Sequence, residues 1–222
     1  MTGEAAEAVE EQGLSPDHSR GLEPVRLGEI CDIQGGGPAV RSAQQVEGGV
    51  PLVRPADLRH QRVSARSAMI CVGPERARGL GKYRLLADDI LVTRTGTVGR
   101  VALVTGRESG WLYNTHLFRV RAKDPLQAPY LLARLSHHSS VDWLERRAAG
   151  TTGMRSITLH TLQDLPVPLP TVDRQREIGA ALQAVDEKIR AHEEVVRATA
   201  DLRGTLADLL LSDRLPSGPP RP

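Results

Sequence analysis

Residues 173–212 read DRQREIGAALQAVDEKIRAHEEVVRATADLRGTLADLLLS, a stretch with no proline and only two glycines, Gly179 and Gly204. Its apolar residues fall at Ile178, Leu182, Val185, Ile189, Val196, Leu202, Leu206, Leu209 and Leu210, mostly three or four apart. That spacing puts them on one face of an α-helix. Thr171 or Asp173 suits the cap, and Arg174, Arg176 and Glu177 open the first turn. A helix of about 40 residues is about 60 Å long, longer than a small domain is wide. Such a rod cannot bury its stripe on its own domain alone and needs a partner helix. His192 and Thr199 stand where a strict heptad asks for apolar residues, so the seam is imperfect.

Upstream of this rod the periodicity is that of strands. DDILVTRTGTVGRVALVT (88–105) sets two β-branched apolar runs about a loop containing Gly96 and Gly99, a β-hairpin pattern. PLVRPADL (51–58) predicts a short strand running into a turn, with Pro55 barred from a central ladder position and Asp57 suited to a turn or cap. YNTHLFRVRA (113–122) alternates, and VRLGEICDI (25–33) alternates loosely before a GGGP loop (35–38). Between hairpin and rod the period changes. APYLLARLSHHSSVDWLERRAAG (128–150) fits one helix, or two broken near His138–Ser140, ended by Gly150. GTTGMRSITL (150–159) predicts a loop entering a short strand. The three prolines of DLPVPLPTV, Pro166, Pro168 and Pro170, hold that segment extended. The fold class is α+β: a β-rich domain over 25–170, a long coiled-coil-type helix over 171–212, and tails at 1–24 and 213–222 expected to be disordered.

Composition narrows the function. Aromatics make up 3% of the 222 residues, so base stacking on aromatic platforms is excluded as the main mode of nucleic-acid binding. No apolar stretch approaches the roughly 18 residues that cross a bilayer. The start, MTGEAAEAVEEQG, is acidic where a signal peptide is basic and then apolar. Cys31 and Cys71 have neither disulfide nor metal-ligand spacing, which fits a reducing cytoplasm. The formal charge of +2 conceals a contrast. Residues 1–24 carry one Arg against six acids, 25–160 carry 20 cations against 11 acids, and 161–222 carry 8 against 10. A basic middle between acidic ends is suited to a polyanion, though a solvated Arg-rich surface would look the same.

No constellation for chemistry assembles. RTGTVGR (94–100) lacks the spacing of a phosphate loop and no helix follows, so it reads as a hairpin loop in which Gly96 and Gly99 supply positive φ. Arg94 and Arg100 either touch phosphate or are solvated strand ends. His137 and His138 have no Cys or carboxylate at ligand spacing and read as a solvated helix end. Asp88 and Asp89 are adjacent, so in a strand they point to opposite faces and make a poor catalytic pair. With no catalytic residues, no metal site and no cofactor loop, a binding module rather than an enzyme is what remains.

The order of segments resembles the specificity (S) subunit of type I restriction–modification enzymes, in a half-length form with a single target-recognition domain. The resemblance covers roughly residues 25–212. It rests on VRLGEICDIQGGGP (25–38), PLVRPADL (51–58), LLADDILVTRTGTVGRVAL (85–103), YLLARL (130–135) and the run GTTGMRSITLHTLQDLPVPLPTVDRQREIGAALQAVDEKI (150–189). In the last of these Pro168, Leu169, Pro170, Gln175 and Ile178 match the family pattern directly, while Arg174 stands where the family often has Glu. The usual subunit has two recognition domains and two long helices, against one of each here.

The resemblance implies a non-catalytic, bacterial, cytoplasmic subunit of a phage-defence system that binds double-stranded DNA and recruits a DNA methyltransferase and, where one is present, a restriction subunit. S-adenosylmethionine is then expected on the methyltransferase, with no cofactor on this chain. Candidate DNA contacts are Arg41, Arg54, Arg94, Thr97, Arg100, Asn114, His116 and Arg155. The candidate helix interface is Ile178, Leu182, Val185, Ile189, Val196, Leu202, Leu206 and Leu209, joining a homodimer or a second half-subunit. The competing expectation is a protein–protein adaptor of a related defence complex that no longer reads DNA.

Overall fold

The computed structural model describes residues 23–37, 45–64, 69–150 and 154–211. The expected tails, Arg41 and most of the 150–153 loop lie outside the described residues. In chain order the first half contains β1 (Val25–Arg26), α1 (Leu27–Ile30), β2 (Cys31–Gly35), β3 (Gln45–Val53), β4 (Leu58–Arg59), β5 (Arg62–Val63), β6 (Cys71–Val72) and α2 (Pro74–Arg78). The second half contains β7 (Ile90–Thr93), β8 (Val101–Leu103), β9 (Leu112–Tyr113), β10 (Leu117–Ala122), α3 (Ala128–Ser136), α4 (His138–Arg147), α5 (Leu159–Gln163), β11 (Pro166–Val167) and α6 (Val172–Leu211).

The hairpin of β7 and β8 is the middle of a six-stranded sheet ordered β2-β10-β7-β8-β5-β4. Its pairs are antiparallel except β5 with β8. All four residues of β7 are buried because the hairpin is covered on both faces. Ile90 and Val92 join Phe118, Val120, Leu131 and Leu144 in the larger core, under the helices. Leu91 and Ala102 point the other way, against Val53, Leu58, Leu85 and Tyr113. This double covering is why an antiparallel strand reads as a continuous apolar run. A three-stranded sheet, β6-β3-β9, carries the second layer.

The 128–150 segment takes the two-helix form of the sequence reading, with the break at His137, whose extended backbone separates α3 from α4. Its Nδ1 accepts the Ser139 N–H at 3.3 Å, so a histidine does the capping work usually given to Ser or Asp. The alternating run 113–122 is interrupted at Asn114, whose Oδ1 accepts the His116 N–H at 3.1 Å and turns the chain between β9 and β10. The strand expected after residue 153 shrinks to bridges from Ser156 to Thr95 and Ala149. Helix α5 follows instead, capped by Thr158, which accepts from Thr161 N at 3.0 Å. Two β-branched residues and a leucine in a row favoured strand, and a local cap overrode them.

The long helix forms as the spacing requires. Thr171 Oγ1 accepts from Arg174 N at 3.4 Å at its start. Gln175 is buried and donates through Nε2 to Pro170 O at 2.8 Å. One turn on, a Cβ at Gly179 would stand 2.8 Å from Pro129 Cβ and 3.0 Å from Tyr130 N, so only glycine lets α6 approach α3 this closely. The proline segment is fixed too: β11 pairs with β1, and the Tyr130 hydroxyl donates to Pro168 O.

At the foot of the hairpin sits Asp89, its side chain fully buried. Arg121 Nε and Nη2 grip its two oxygens at 2.6 and 2.8 Å, and Leu86 N donates to Oδ2 at 2.8 Å. Removing one partner of a buried, bidentate pair strands the other charge, at a typical cost of about 3–5 kcal/mol. Arg121→Ala strands the fully buried Asp89 and should lower unfolding free energy by roughly that amount in urea denaturation; a loss near that of an ordinary surface substitution would refute the clamp.

Candidate nucleic-acid interface

The 94–100 loop is held in shape by its own strand ends. Thr93 Oγ1 accepts from Arg100 N at 2.9 Å and its hydroxyl donates to Thr97 O. Gly96 and Gly99 take φ of +85° and +79°, as the loop reading required. The loop is then tied to three other segments. Gly96 N donates to Arg155 O at 2.9 Å, Ile157 N to Arg94 O at 3.0 Å, and Arg94 N to His116 O at 2.9 Å. Asn114 N in turn donates to Val53 O at 3.0 Å, which brings in the end of β3 and the turn at Arg54.

These links gather seven of the eight candidate DNA contacts at one rim of the sheet. Thr97, Arg100, His116 and Arg155 are exposed, and Arg94 and Asn114 are half-buried. The guanidinium of Arg94 lies 5.7 Å from the centroid of the Phe118 ring. Arg155 donates to Glu145 O through one nitrogen. Arg100 makes one long contact, 3.5 Å, to Pro55 O. Arg54 differs from the others. Its backbone N–H and its guanidinium all go to buried Asp57, at 2.9, 3.2 and 3.3 Å, so its charge is already neutralised by a structural partner. The rim therefore offers Arg94, Arg100 and Arg155 as cations, with Thr97, Asn114 and His116 as neutral hydrogen-bonding groups. Those are the side-chain types that hold phosphates and read base edges.

A groove of about 650 Å³ beside the rim is lined by Thr97, Gly99 and Arg100 on one side and by Arg59, His60 and Gln61 on the other. His60 and Gln61 have φ of +46° and +57°, and the Gln61 Oε1 is buried without a hydrogen-bond partner. His60 Nδ1 lies 3.0 Å from Glu193 Oε1, so the β4–β5 turn touches α6 halfway along the rod.

The candidate helix interface divides in two. Ile178 packs against the larger core of its own domain, which corrects its assignment to the free stripe. Leu182, Val185, Ile189, Val196, Leu202, Leu206 and Leu209 are exposed, between 47% and 69%. Val195, Leu210 and Leu211 extend the uncovered surface.

Among the described residues no three His, Cys, Asp or Glu side chains gather as a metal site. Burial pushes the Cys31 thiol up to about 12, which removes its nucleophilicity near neutral pH. The His137 imidazole is held below its ordinary range by burial, then by His138 and Arg134, and stays neutral to accept its capping hydrogen bond.

Sequence reasoning missed the two arginines of β10. Arg119 and Arg121 alternate with apolar residues and share one face of the strand, a signal that a period-two reading of LFRVRA contains. Arg119 is buried and pairs with exposed Asp32 at 2.8 Å.

The described residues thus form two parts, a β-rich domain with a cationic rim and a rod with an exposed apolar stripe. A family model described as the type I restriction modification DNA specificity domain matches residues 19–196, and the chain belongs to that family. The putative type I restriction enzyme MjaX specificity subunit of Methanocaldococcus jannaschii is 29% identical over 114 residues, 50% of this chain and 27% of that protein. The type I restriction–modification S subunit of M. genitalium superposes with a TM-score of 0.63 at 17% identity, over 89% of this chain and 48% of that one. The HsdS subunit of Thermoanaerobacter tengcongensis gives 0.58 at 26% identity, over 82% and 41%. The chain thus spans less than half the length of each of these relatives.

The positive φ of the rim loop yields a test. Gly99→Ala forces an L-residue into the left-handed region, at about 1–2 kcal/mol, while its new methyl meets Leu144 and Val141 at an ordinary 3.6 Å. Denaturant melts should show that loss; an unchanged midpoint would mean that the loop does not need the glycine.

Proposed function

We propose that this chain is a non-catalytic specificity subunit that reads one half of a bipartite duplex DNA target and delivers partner methyltransferase subunits to it. Where a restriction subunit is present, it is delivered too. The observation that carries this reading is the meeting of Arg94, Arg100, Arg155, Thr97, Asn114 and His116 at one rim, from three segments distant in sequence. Family membership supports it from an independent direction. Arginines on the rim hold phosphates and fix register, while the neutral groups between them meet base edges. The methyl donor and the bond-making chemistry belong to the partner.

The rod supplies the second half of the reading. Each of its uncovered large apolar side chains forgoes about 1.5–3 kcal/mol of burial in water, so α6 pairs with another helix of its kind. An antiparallel pair about a two-fold axis sets two recognition domains at opposite ends of the rods. The target is then two inverted half-sites at a fixed spacing. A second, non-identical half-subunit would cover the same stripe and give an asymmetric target.

Two experiments test this reading. Affinity of the chain for duplex DNA should fall with salt along a log–log slope of about −0.9 per phosphate neutralised; affinity that stays flat from low to physiological salt would favour the adaptor reading instead. Light scattering at micromolar concentration should show Leu182→Asp with Ile189→Asp converting a dimer to a monomer. If the unaltered chain is itself monomeric, alone and on DNA, pairing with a different partner replaces self-association.

A further inference from the structure

Among the described residues the second face of the six-stranded sheet is only half covered. Over β7 and β8 it meets the layer of Val53, Leu58, Leu85 and Tyr113, but over β2 and β10 no described residue closes it. There a groove of about 720 Å³ runs between the two strands and the 81–86 segment, lined by Asp32, Gln34, Lys82, Arg84, Arg119 and Arg121. Four cations face one carboxylate. Their states differ. Arg121 is consumed by buried Asp89. Arg84 spends one nitrogen on Gly110 O at 2.7 Å. Lys82 is exposed, its ammonium 4.9 Å from the Tyr83 ring centroid.

Arg119 carries the argument. It is 5% exposed, donates to Asp32 through Nη2, and its Nε is buried with no hydrogen-bond partner among the described residues. A buried guanidinium donor left unpaired is costly and rare in folded proteins. With Nη2 on Asp32, the Nε–H can give one charge-assisted hydrogen bond to an anionic oxygen such as a phosphate's. The position suits a polymer lying on the rim. Gln34 is the direct partner of Arg119 in the β2–β10 register, and Gly35 pairs with Phe118, the ring beneath Arg94. Two residues further, Gly37 packs on the Tyr113–Asn114 peptide at the rim turn.

We propose that this groove is a phosphate subsite, and that it takes a backbone phosphodiester of DNA flanking the segment held by the rim. Arg119 donates through its free Nε, Lys82 and Arg84 close over the phosphate from the opposite wall, and Asp32 orients Arg119 from the solvent side. The contact is to backbone and adds affinity without sequence preference. This inference rests on the DNA-binding reading above.

The test uses the full chain, a mixed-sequence duplex oligonucleotide as probe, and two readouts. Lys82→Ala and Arg84→Met should each reduce the salt slope of duplex binding, and together by about 0.9, the share of one phosphate, with thermal melts confirming the fold. In the unaltered chain the Arg119 Nε–H NMR resonance should move on adding duplex. Inorganic phosphate at matched ionic strength should leave it in place. Unchanged slopes with an unmoved resonance, while Arg155→Ala still weakens binding, would overturn the groove and leave the rim standing. A resonance moved by inorganic phosphate and not by duplex would overturn the DNA assignment of the site. If the duplex does not bind at all, both readings fall together.

Discussion

A fully buried carboxylate, Asp89, is the constraint on which the domain turns. It lies where β7 begins, and its two oxygens are taken by Arg121 from β10 and by the Leu86 amide from the preceding turn. Isolated in the protein interior, that charge would be prohibitive; gripped in two directions it can exist in only one arrangement of the three segments. The clamp therefore fixes the register of β7 against β10. From that register follow the hairpin loop, the Asn114 turn and the position of Arg155 opposite Gly96. The rim is a downstream product of an ion pair whose carboxylate is fully buried beneath it.

Division of labour along the chain follows from the same economy of burial. The domain encloses its core on both faces of one sheet and draws only the first turns of α6 into it, through Gln175, Ile178 and Gly179. Beyond them the rod's apolar residues face water, apart from the touch of Glu193 on His60. A domain that satisfies itself and a helix that does not are the two parts that an assembling recognition protein requires. The cationic surface is likewise uneven, since Arg54 and Arg121 are silenced by internal carboxylates while Arg94, Arg100 and Arg155 are not.

Much of this was legible in the sequence where the signal is local and periodic. The 40 residues of α6, the 88–105 hairpin with its two positive-φ glycines, and the extended proline run all stand as their spacing required. What escaped was decided by single hydrogen bonds or by packing. Thr158 starts a helix where a strand was expected, and Asn114 splits a strand. Periodicity cannot register such events, because one polar contact outweighs a weak propensity. The interface stripe was visible, but Ile178 was assigned to the wrong surface, since a helical wheel does not reveal where the domain ends. The pairing of Arg119 with Asp32 spans 87 positions, and only the fold brings the two together.

The tight seat of Gly179 against Pro129 and Tyr130 has a mechanical consequence. It makes the join between domain and rod a tight elbow, with the 32 residues of α6 beyond it as a lever arm of about 48 Å. On such an arm an angular error of about ten degrees at the elbow displaces the far end by roughly 8 Å, more than two base-pair steps of duplex. Under the antiparallel pairing proposed above, tolerance at the elbow governs how faithfully the distance between two recognition surfaces is kept. A methyl group added at Gly179, a position remote from the candidate rim, would blur that distance by changing the angle at which the arm leaves its socket.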